Sequence, residues 1–327
     1  MTVDSISIDL DNLPDNDTDY IWADYIELLC LLNLDKEITQ GDVVQRVRTL
    51  KDDFPTTDEE VELATSEPSN RDDRWKRKVA DWFIQLKYRA DSFGTIYPFK
   101  ILNNGNVLKT KGRIHKCHKI YIFLLLSSNL RCVSKSDQYN LTSFFEYLCF
   151  HALVEFLPDT SQAYMFGVSK VNKDRRYSGN FQNKIHNLSE DIGESINQKY
   201  EEEIRAKSGG DGGLDLVAWI PFDDGLTSFP IFFGQCTCTQ DWGRKQYDID
   251  PSRFNYITYT VPPVLMIFIP HVYRNDSGKW YNAMEIATSV LFDRLRIAKL
   301  TKEHYTKLEK YIAGYVQNAI EMSEPIF

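Results

Sequence analysis

Residues 209–245 read GGDGGLDLVAWIPFDDGLTSFPIFFGQCTCTQDWGRK, and this stretch decides the fold. Two strand-forming apolar runs, 214–221 and 229–239, lie on either side of turn-forming residues, so the pattern predicts strand, turn, strand and then a short helix. Asp215 and Gln235 are polar residues within these runs, and a buried carboxylate or amide is costly unless it binds something. Because side chains alternate faces along a strand, Asp215 and Gln235 face one spot if the two strands pair near them.

A carboxylate and an amide oxygen at one spot are hard ligands that suit Mg²⁺. The glycines that precede Asp215 allow the backbone to approach a ligand closely or to adopt positive φ. The alternative interpretation is a glycine-rich loop that feeds a structural hairpin, with Asp215 capping a turn. The spacing alone leaves both interpretations open.

Composition limits the classes of protein that fit. The chain has 327 residues, of which 43% are hydrophobic and 26% are charged, which is typical of a globular protein of about two domains. The net charge of −9 means that any nucleic-acid binding must use a local basic patch. The six cysteines show no zinc-site spacing, no signal peptide is apparent, and the apolar runs are too short to span a membrane. We therefore expect a cytoplasmic protein with reduced thiols and no membrane partner.

The order of elements predicts two regions. Residues 1–135 are expected to be mostly helical, with a β-hairpin at 97–111 and an acidic loop over most of 51–70. Residues 140–327 mix helices with strands and end in helices, which indicates an α/β or α+β domain. In this second region we expect adjacent strands of one sheet at 214–219, 229–237 and 264–269, and helices at 144–156, 185–203 (interrupted at Gly193), 284–295 and 302–322.

The densest positive run in the chain follows the predicted hairpin. We take its cations as candidate DNA-binding residues because phosphate contacts give affinity without reading sequence. These are Lys109, Lys111, Arg113 and Lys116, with His115, His118 and Lys119 beside them. The alternative is a solvated hairpin rim.

Three segments together resemble a known family. They are a helix that begins with Phe145 and Glu146, the DGGLD loop at 211–215, and a strand that ends in GQC at 234–236. This order resembles the Mrr-type branch of the PD-(D/E)XK nucleases, which share the restriction-endonuclease fold. The resemblance covers roughly residues 140–300 and implies a restriction-endonuclease-like mixed sheet flanked by helices. The longer string GDGGLDLVAW…FGQCTCTQDW is also similar to restriction-like proteins of bacterial anti-phage systems.

The resemblance implies a DNA endonuclease that uses Mg²⁺ or Mn²⁺ and acts in anti-phage defence, with a protein partner that could be an ATPase. Glu146, Asp215 and Gln235 would be metal ligands and catalytic residues. Thr237 occupies the position where the family has a catalytic lysine, and Lys245 is the predicted replacement, with Lys184 or Arg244 as further candidates. The alternative function is a catalytically degenerate subunit that binds DNA or a partner protein in a defence complex.

The insertion between Glu146 and Asp215 is long, so another acid could take the place of Glu146. The candidates are Glu190, Glu194 and Glu201.

Overall fold

The computed structural model describes residues 6–15, 18–52, 68–167, 171, 174–207 and 209–324. The chain divides into two compact units: residues 1–137, 271–281 and 309–327 form the first, and residues 138–270 and 282–308 form the second. Most of the predicted acidic loop at 51–70 lies outside the described residues. Within the described ranges, no helix combines the length and the apolar character needed to cross a bilayer.

The first unit combines helices with a small antiparallel sheet. Its elements are α1 (Asp19–Leu32), β1 (Glu37–Thr39), α2 (Gln40–Val47), α3 (Pro68–Phe93), β2 (Phe99–Leu102), β3 (Val107–Thr110) and α4 (Lys116–Ser128). The sheet order is β1-β3-β2. The predicted hairpin is confirmed, and its turn uses positive φ at Asn103, Asn104 and Gly105, residues that tolerate this conformation.

The second unit is built on a mixed sheet. Its elements are most of α5 (Lys135–Phe156), then β4 (Gln162–Met165), α6 (Phe181–Ile192), β5 (Ser195–Ile196), α7 (Glu201–Ala206), β6 (Leu216–Trp219), β7 (Ile231–Cys236), α8 (Trp242–Lys245), β8 (Ile257–Thr258), β9 (Val264–Phe268), β10 (Ser289–Phe292) and α9 (Arg294–Thr301). A last helix, α10 (Tyr305–Glu321), is divided between the two units.

Five strands of the described residues form the main sheet, in the order β10-β9-β7-β6-β4. β4, β6 and β7 pair antiparallel, whereas β7, β9 and β10 pair parallel. The three predicted strands are therefore adjacent in one sheet, as expected. This mixed sheet, with helices flanking it, confirms the α/β class.

Three predicted helices differ from the observed structure. The segment predicted as one interrupted helix at 185–203 holds the end of α6, then β5, and then the start of α7, because β5 pairs with β8 after the break at Gly193. The segment predicted as a helix at 284–295 contains β10, which extends the edge of the sheet beside β9, so pairing overrides local propensity there. The helix predicted at 144–156 begins earlier, at Lys135, because Ser134 and Asp137 bond to each other at its start. Glu146 consequently lies in the middle of α5.

Helix α6 packs against one face of the sheet. Its apolar residues at helical spacing join the core around Val217, Trp219 and Phe233. These residues are Phe181, Ile185, Leu188 and Ile192. Asn180 caps the start of α6, and Gly193 ends it with a φ of 67°. The predicted interruption at Gly193 is thus the end of this helix, and the packing fixes the position of Lys184 within it.

Gly234 allows β6 and β7 to pair closely beside the candidate site. A Cβ atom at this position would lie 2.9 Å from the Cβ of Leu216 on the paired strand, and that atom cannot move without its backbone. We expect Gly234→Ala to lower the free energy of unfolding by about 1–3 kcal/mol, the usual cost of overpacking. Urea unfolding measures this change.

Gly243→Ala is the matched control, since no atom lies within 4 Å of the Cβ that it adds. Equal stability of the two variants would contradict the close packing of these strands.

Candidate active site

Asp215 and Gln235 meet where two neighbouring strands lie side by side. Asp215 directly precedes β6, and its backbone N–H donates to the carbonyl of Gly234 at 3.0 Å, which extends the pairing with β7. The Gln235 amide nitrogen donates to Asp215 Oδ2 at 2.9 Å, and the backbone N–H of Cys236 donates to the same oxygen at 2.7 Å. Both side chains are buried. The two polar residues of the apolar runs therefore form one buried pair.

The amide of Gln235 turns its nitrogen toward Asp215, so its oxygen points elsewhere. That oxygen, Oε1, is buried and has no hydrogen-bond partner. With an ionised Asp215, the opposite orientation would set the amide oxygen against a carboxylate oxygen, which disfavours it. A buried acceptor without a partner is costly. Oε1 is therefore an atom that a cation or a donor from a ligand would stabilise.

Two further carboxyl groups, those of Glu146 and Asp211, raise the pKa of Asp215. Burial, and after it the charge of Asp211, raises the pKa of the Glu146 carboxyl to about 8. Burial also raises the pKa of Asp215 well above its usual range, with Glu146 the next cause. Asp211 is the first acid of the DGGLD loop, and its Oδ1 accepts from the backbone N–H of Gly213 at 2.8 Å. Three acids thus share one electrostatic environment.

Gly167 leaves space beside two of these acids. A Cβ at this position would lie 3.1 Å from Asp215 Oδ1 and 3.5 Å from Asp211 Oδ2. Any side chain at Gly167 would occupy the space between the two oxygens. Close approach of a ligand to these carboxylates therefore depends on a glycine here.

The donor set suits a hard cation. Carboxylate oxygens from Asp215, Glu146 and Asp211, together with Gln235 Oε1, are the ligand types that Mg²⁺ and Mn²⁺ take. A cation would also relieve the repulsion that contributes to the raised pKa values of Asp215 and Glu146. Across the part of the chain that the structure describes, however, no three His, Cys, Asp or Glu side chains already surround one point as ligands would. The chemistry of the donors and the space at Gly167 fit such an ion.

The two candidate cations after β7, Lys245 and Arg244, are exposed and lie beside acids of their own segment. Lys245 is exposed, its Nζ lies 3.3 Å from Asp248 Oδ2, and it is the smallest of the influences named on the pKa of Asp215. Arg244 is exposed and lies 3.3 Å from Asp241. Thr237 is buried, and its hydroxyl lies 3.0 Å from that of Thr239.

Lys184 is the buried cation of this site. Its Nζ donates to the carbonyls of Phe166 at 3.2 Å and Gly210 at 3.1 Å, and the side chain is only 1% exposed. Burial lowers its pKa, whereas the nearby charges of Asp211 and Asp215 raise it. Lys184 therefore supplies positive charge close to the acids, from a helix that is packed into the core.

The alternative glutamates have other surroundings. Glu194 accepts from Thr260, and Glu201 pairs with Arg205. Glu190 is exposed on α6. Glu146 is the glutamate that raises the pKa of Asp215.

The basic run lies in the first unit and is not uniform. Lys109 pairs with Glu37 at 2.6 Å. Lys111 is half-buried and donates to the carbonyl of Tyr97 at 2.6 Å. Arg113 and Lys116 are exposed.

Sequence reasoning missed two residues of the site and ranked a third low. Asp211 stands in the DGGLD loop and could have been noticed as its first acid. Gly167 carries no local signal, because only the fold brings it beside Asp215. Lys184 entered the sequence analysis only as a substitute for Lys245, since 31 positions along the chain separate it from Asp215.

A comparison with models of known protein families, with curated proteins and with solved structures found no match. The structure shows a mixed α/β unit with a buried Asp–Gln pair, acids that raise one another's pKa, and a buried lysine. Function is therefore inferred from the site.

Glu146 makes the stability of the protein depend on pH. Its pKa is about 8 in the folded protein and near 4.5 ordinarily, so the folded state keeps a proton that the unfolded state has released between these values. The free energy of unfolding should therefore fall as the pH rises from about 4.5 to about 8. Glu146→Gln removes this titration, so we expect a flatter pH profile and greater stability at pH 8 than the natural chain.

Urea unfolding in EDTA across this pH range measures the effect. Glu190→Gln, which changes an exposed acid of the same unit, is the control. A Glu146→Gln profile as steep as the natural one would show that Glu146 does not titrate in this way.

Proposed function

We propose that this chain is a metal-dependent DNA endonuclease of the PD-(D/E)XK type, whose second unit has a restriction-endonuclease-like fold. The observation that carries the proposal is the contact between Asp215 and Gln235 on adjacent strands, directly after the DGGLD loop. Glu146 acts on the same carboxylate from α5. The order of these three residues along the chain is the one that the resemblance to the Mrr-type branch implies, whereas Glu146 lies in the middle of α5 and not at its start.

Each residue has a distinct role in this proposal. Asp215 and Glu146 hold Mg²⁺ or Mn²⁺, and Gln235 orients Asp215 while offering Oε1 as a further oxygen ligand. When bound, the ion polarises the phosphodiester and lowers the pKa of a water molecule. Asp211 fixes the glycine-rich loop through its bond to Gly213.

Lys184 takes the electrostatic role that the family gives to the lysine missing at Thr237. Its ammonium group is already desolvated and held by two carbonyls, so it needs no reorganisation to stabilise negative charge on a phosphate. Its burial and its bonds to the carbonyls of Phe166 and Gly210 support this role over that of Lys245, which is exposed and paired with Asp248, even though Lys245 is the lysine that lowers the pKa of Asp215.

A second candidate function is a degenerate nuclease-fold subunit that binds DNA or a partner protein without cutting. Two observations favour it: Thr237 has no charge, and the acids of the described residues do not already surround one point. For either function, the resemblance is the basis for a role in anti-phage defence. It is also the basis for a protein partner such as an ATPase.

One experiment separates the two functions. Supercoiled plasmid and linear duplex DNA are incubated with the purified chain in Mg²⁺, in Mn²⁺ and in EDTA, and DNA binding is measured in parallel by fluorescence anisotropy. The nuclease predicts nicked or linear products with either ion and none in EDTA. Binding without cleavage under every condition would instead support the degenerate subunit.

A further inference from the structure

A cavity in the first unit lies between the β2–β3 hairpin and the start of α4. Its volume is about 360 Å³, near the lower end of the range for small-ligand pockets. It is lined by Thr95, Lys100, Lys111, Gly112, Arg113, His115 and His118. This lining holds two lysines and an arginine, and no carboxylate.

The basic side chains of this cavity differ from the neighbouring Lys109, whose charge is neutralised by an acid. Lys109 pairs with Glu37 at 2.6 Å, outside the lining. Lys111 instead donates to a backbone carbonyl, that of Tyr97, and no carboxylate of the described residues forms an ion pair with it. Burial lowers the pKa of Lys111, and the nearby charge of Lys100 lowers it further. An anion in the cavity would relieve this repulsion.

Two hydrogen bonds orient the ring of His118 at the cavity. His118 Nδ1 accepts from the backbone N–H of His115 at 3.0 Å, and His118 Nε2 lies 2.9 Å from the carbonyl of Thr95. These two contacts together fix a neutral ring that carries its proton on Nε2. Burial, and then the charge of Lys111, lowers the pKa of His118. The ring therefore shapes the cavity, while Lys100, Lys111 and Arg113 supply the charge.

We propose that this cavity binds a phosphate monoester, either the terminal phosphate of a DNA strand or that of a nucleotide. A monoester carries up to two negative charges and three acceptor oxygens, which match two ammonium groups and a guanidinium fork. An internal phosphodiester carries a single charge and has chain on both sides. A pocket whose lining includes two lysines and an arginine should therefore favour an end.

DNA as the source of this phosphate rests on the proposed function. Hydrolysis of a phosphodiester adds water across one P–O bond, which leaves a phosphate monoester on one new end and a hydroxyl on the other. The cavity would thus recognise the chemical class to which the product belongs. The binding of a phosphate monoester is inferred from the residues that line the cavity and from their charges, and it does not depend on cleavage.

The test measures binding in EDTA, so cleavage plays no part in it. Duplex oligonucleotides with a 5′-phosphate, a 3′-phosphate or no terminal phosphate are compared by anisotropy, and AMP and inorganic phosphate are titrated by calorimetry. Charge-assisted hydrogen bonds to a phosphate predict tighter binding of one phosphorylated end by about tenfold. Lys111→Gln and Arg113→Gln should each remove this preference, and Arg113 is exposed, so its variant should fold.

Lys87→Gln, which changes an exposed lysine of α3 outside the cavity, is the charge-matched control and should keep the preference. If AMP or phosphate binds and depends on Lys111 and Arg113, while the DNA ends make no difference, the source is a free nucleotide or phosphate. If no terminal phosphate, AMP or inorganic phosphate binds, or if Lys87→Gln has the same effect as Arg113→Gln, the proposal is wrong. Loss of cleavage with this preference intact would overturn the proposed nuclease alone.

Discussion

Asp215→Asn is expected to lower metal-dependent DNA cleavage by about 10³-fold or more, because it removes a charged metal ligand whose contribution is several kcal/mol. Asparagine keeps an oxygen that can accept from the Gln235 amide and the Cys236 N–H, so the strands should stay paired. The raised pKa of Asp215 reflects a cost of burying its charge. Thermal stability without metal should therefore hold or rise.

Initial rates of plasmid cleavage in Mg²⁺ and melting temperatures in EDTA measure the two effects. Asp224→Asn is the control, since Asp224 is an exposed turn residue of the same unit and asparagine can keep its bond to the Leu226 N–H. An Asp215→Asn protein that cuts at the natural rate would rule out Asp215 as a metal ligand.

Lys184→Met is expected to lower the cleavage rate by about 10²–10⁴-fold, the usual scale for a positioned electrostatic or proton-transfer group. Methionine retains much of the apolar stem within the core and removes the ammonium that lies near Asp211 and Asp215. DNA affinity should change little, because the buried amine is not an exposed phosphate contact. The sequence alone predicts this loss for Lys245→Ala.

The structure changes that expectation for Lys245. Since Lys245 is half-exposed and paired with Asp248, we expect Lys245→Ala to reduce the rate less than Lys184→Met does. Both variants are compared in single-turnover cleavage, with melting temperatures and Mn²⁺ affinity as checks on folding and on the metal site. A greater loss in Lys245→Ala would return the catalytic role to Lys245.

The Asp215–Gln235 pair and the hairpin turn could be predicted from the sequence, because both follow from local patterns. Alternation along two strands is enough to bring Asp215 and Gln235 together once the strands pair, and turn residues fix the hairpin at Asn103–Gly105. These features depend on neighbours in the chain. For that reason the strands follow from the pattern, and so does the buried polar pair once β6 and β7 are paired.

The remaining features depend on contacts between distant segments. Gly167 comes beside Asp215 through the bond from its backbone N–H to the Asp215 carbonyl, at 3.1 Å, and no local pattern indicates this contact. Lys184 reaches the acids because α6 packs on the sheet. The strand Ser289–Phe292 forms beside β9 at an edge of the sheet, where pairing decides the conformation. The spacing of residues along the chain does not indicate which distant segments come into contact.

The central claim is that Asp215 and Glu146 hold a divalent ion, and anomalous diffraction from a crystal soaked in Mn²⁺ tests it most directly. The account predicts an anomalous peak at bonding distance, roughly 2.0–2.3 Å, from a carboxylate oxygen of Asp215, with Glu146 or Gln235 Oε1 as a further ligand. The peak should be absent from crystals of Asp215→Asn. A fully soaked crystal with no peak at Asp215, or with one at Asp215 that persists in the variant, would contradict the account.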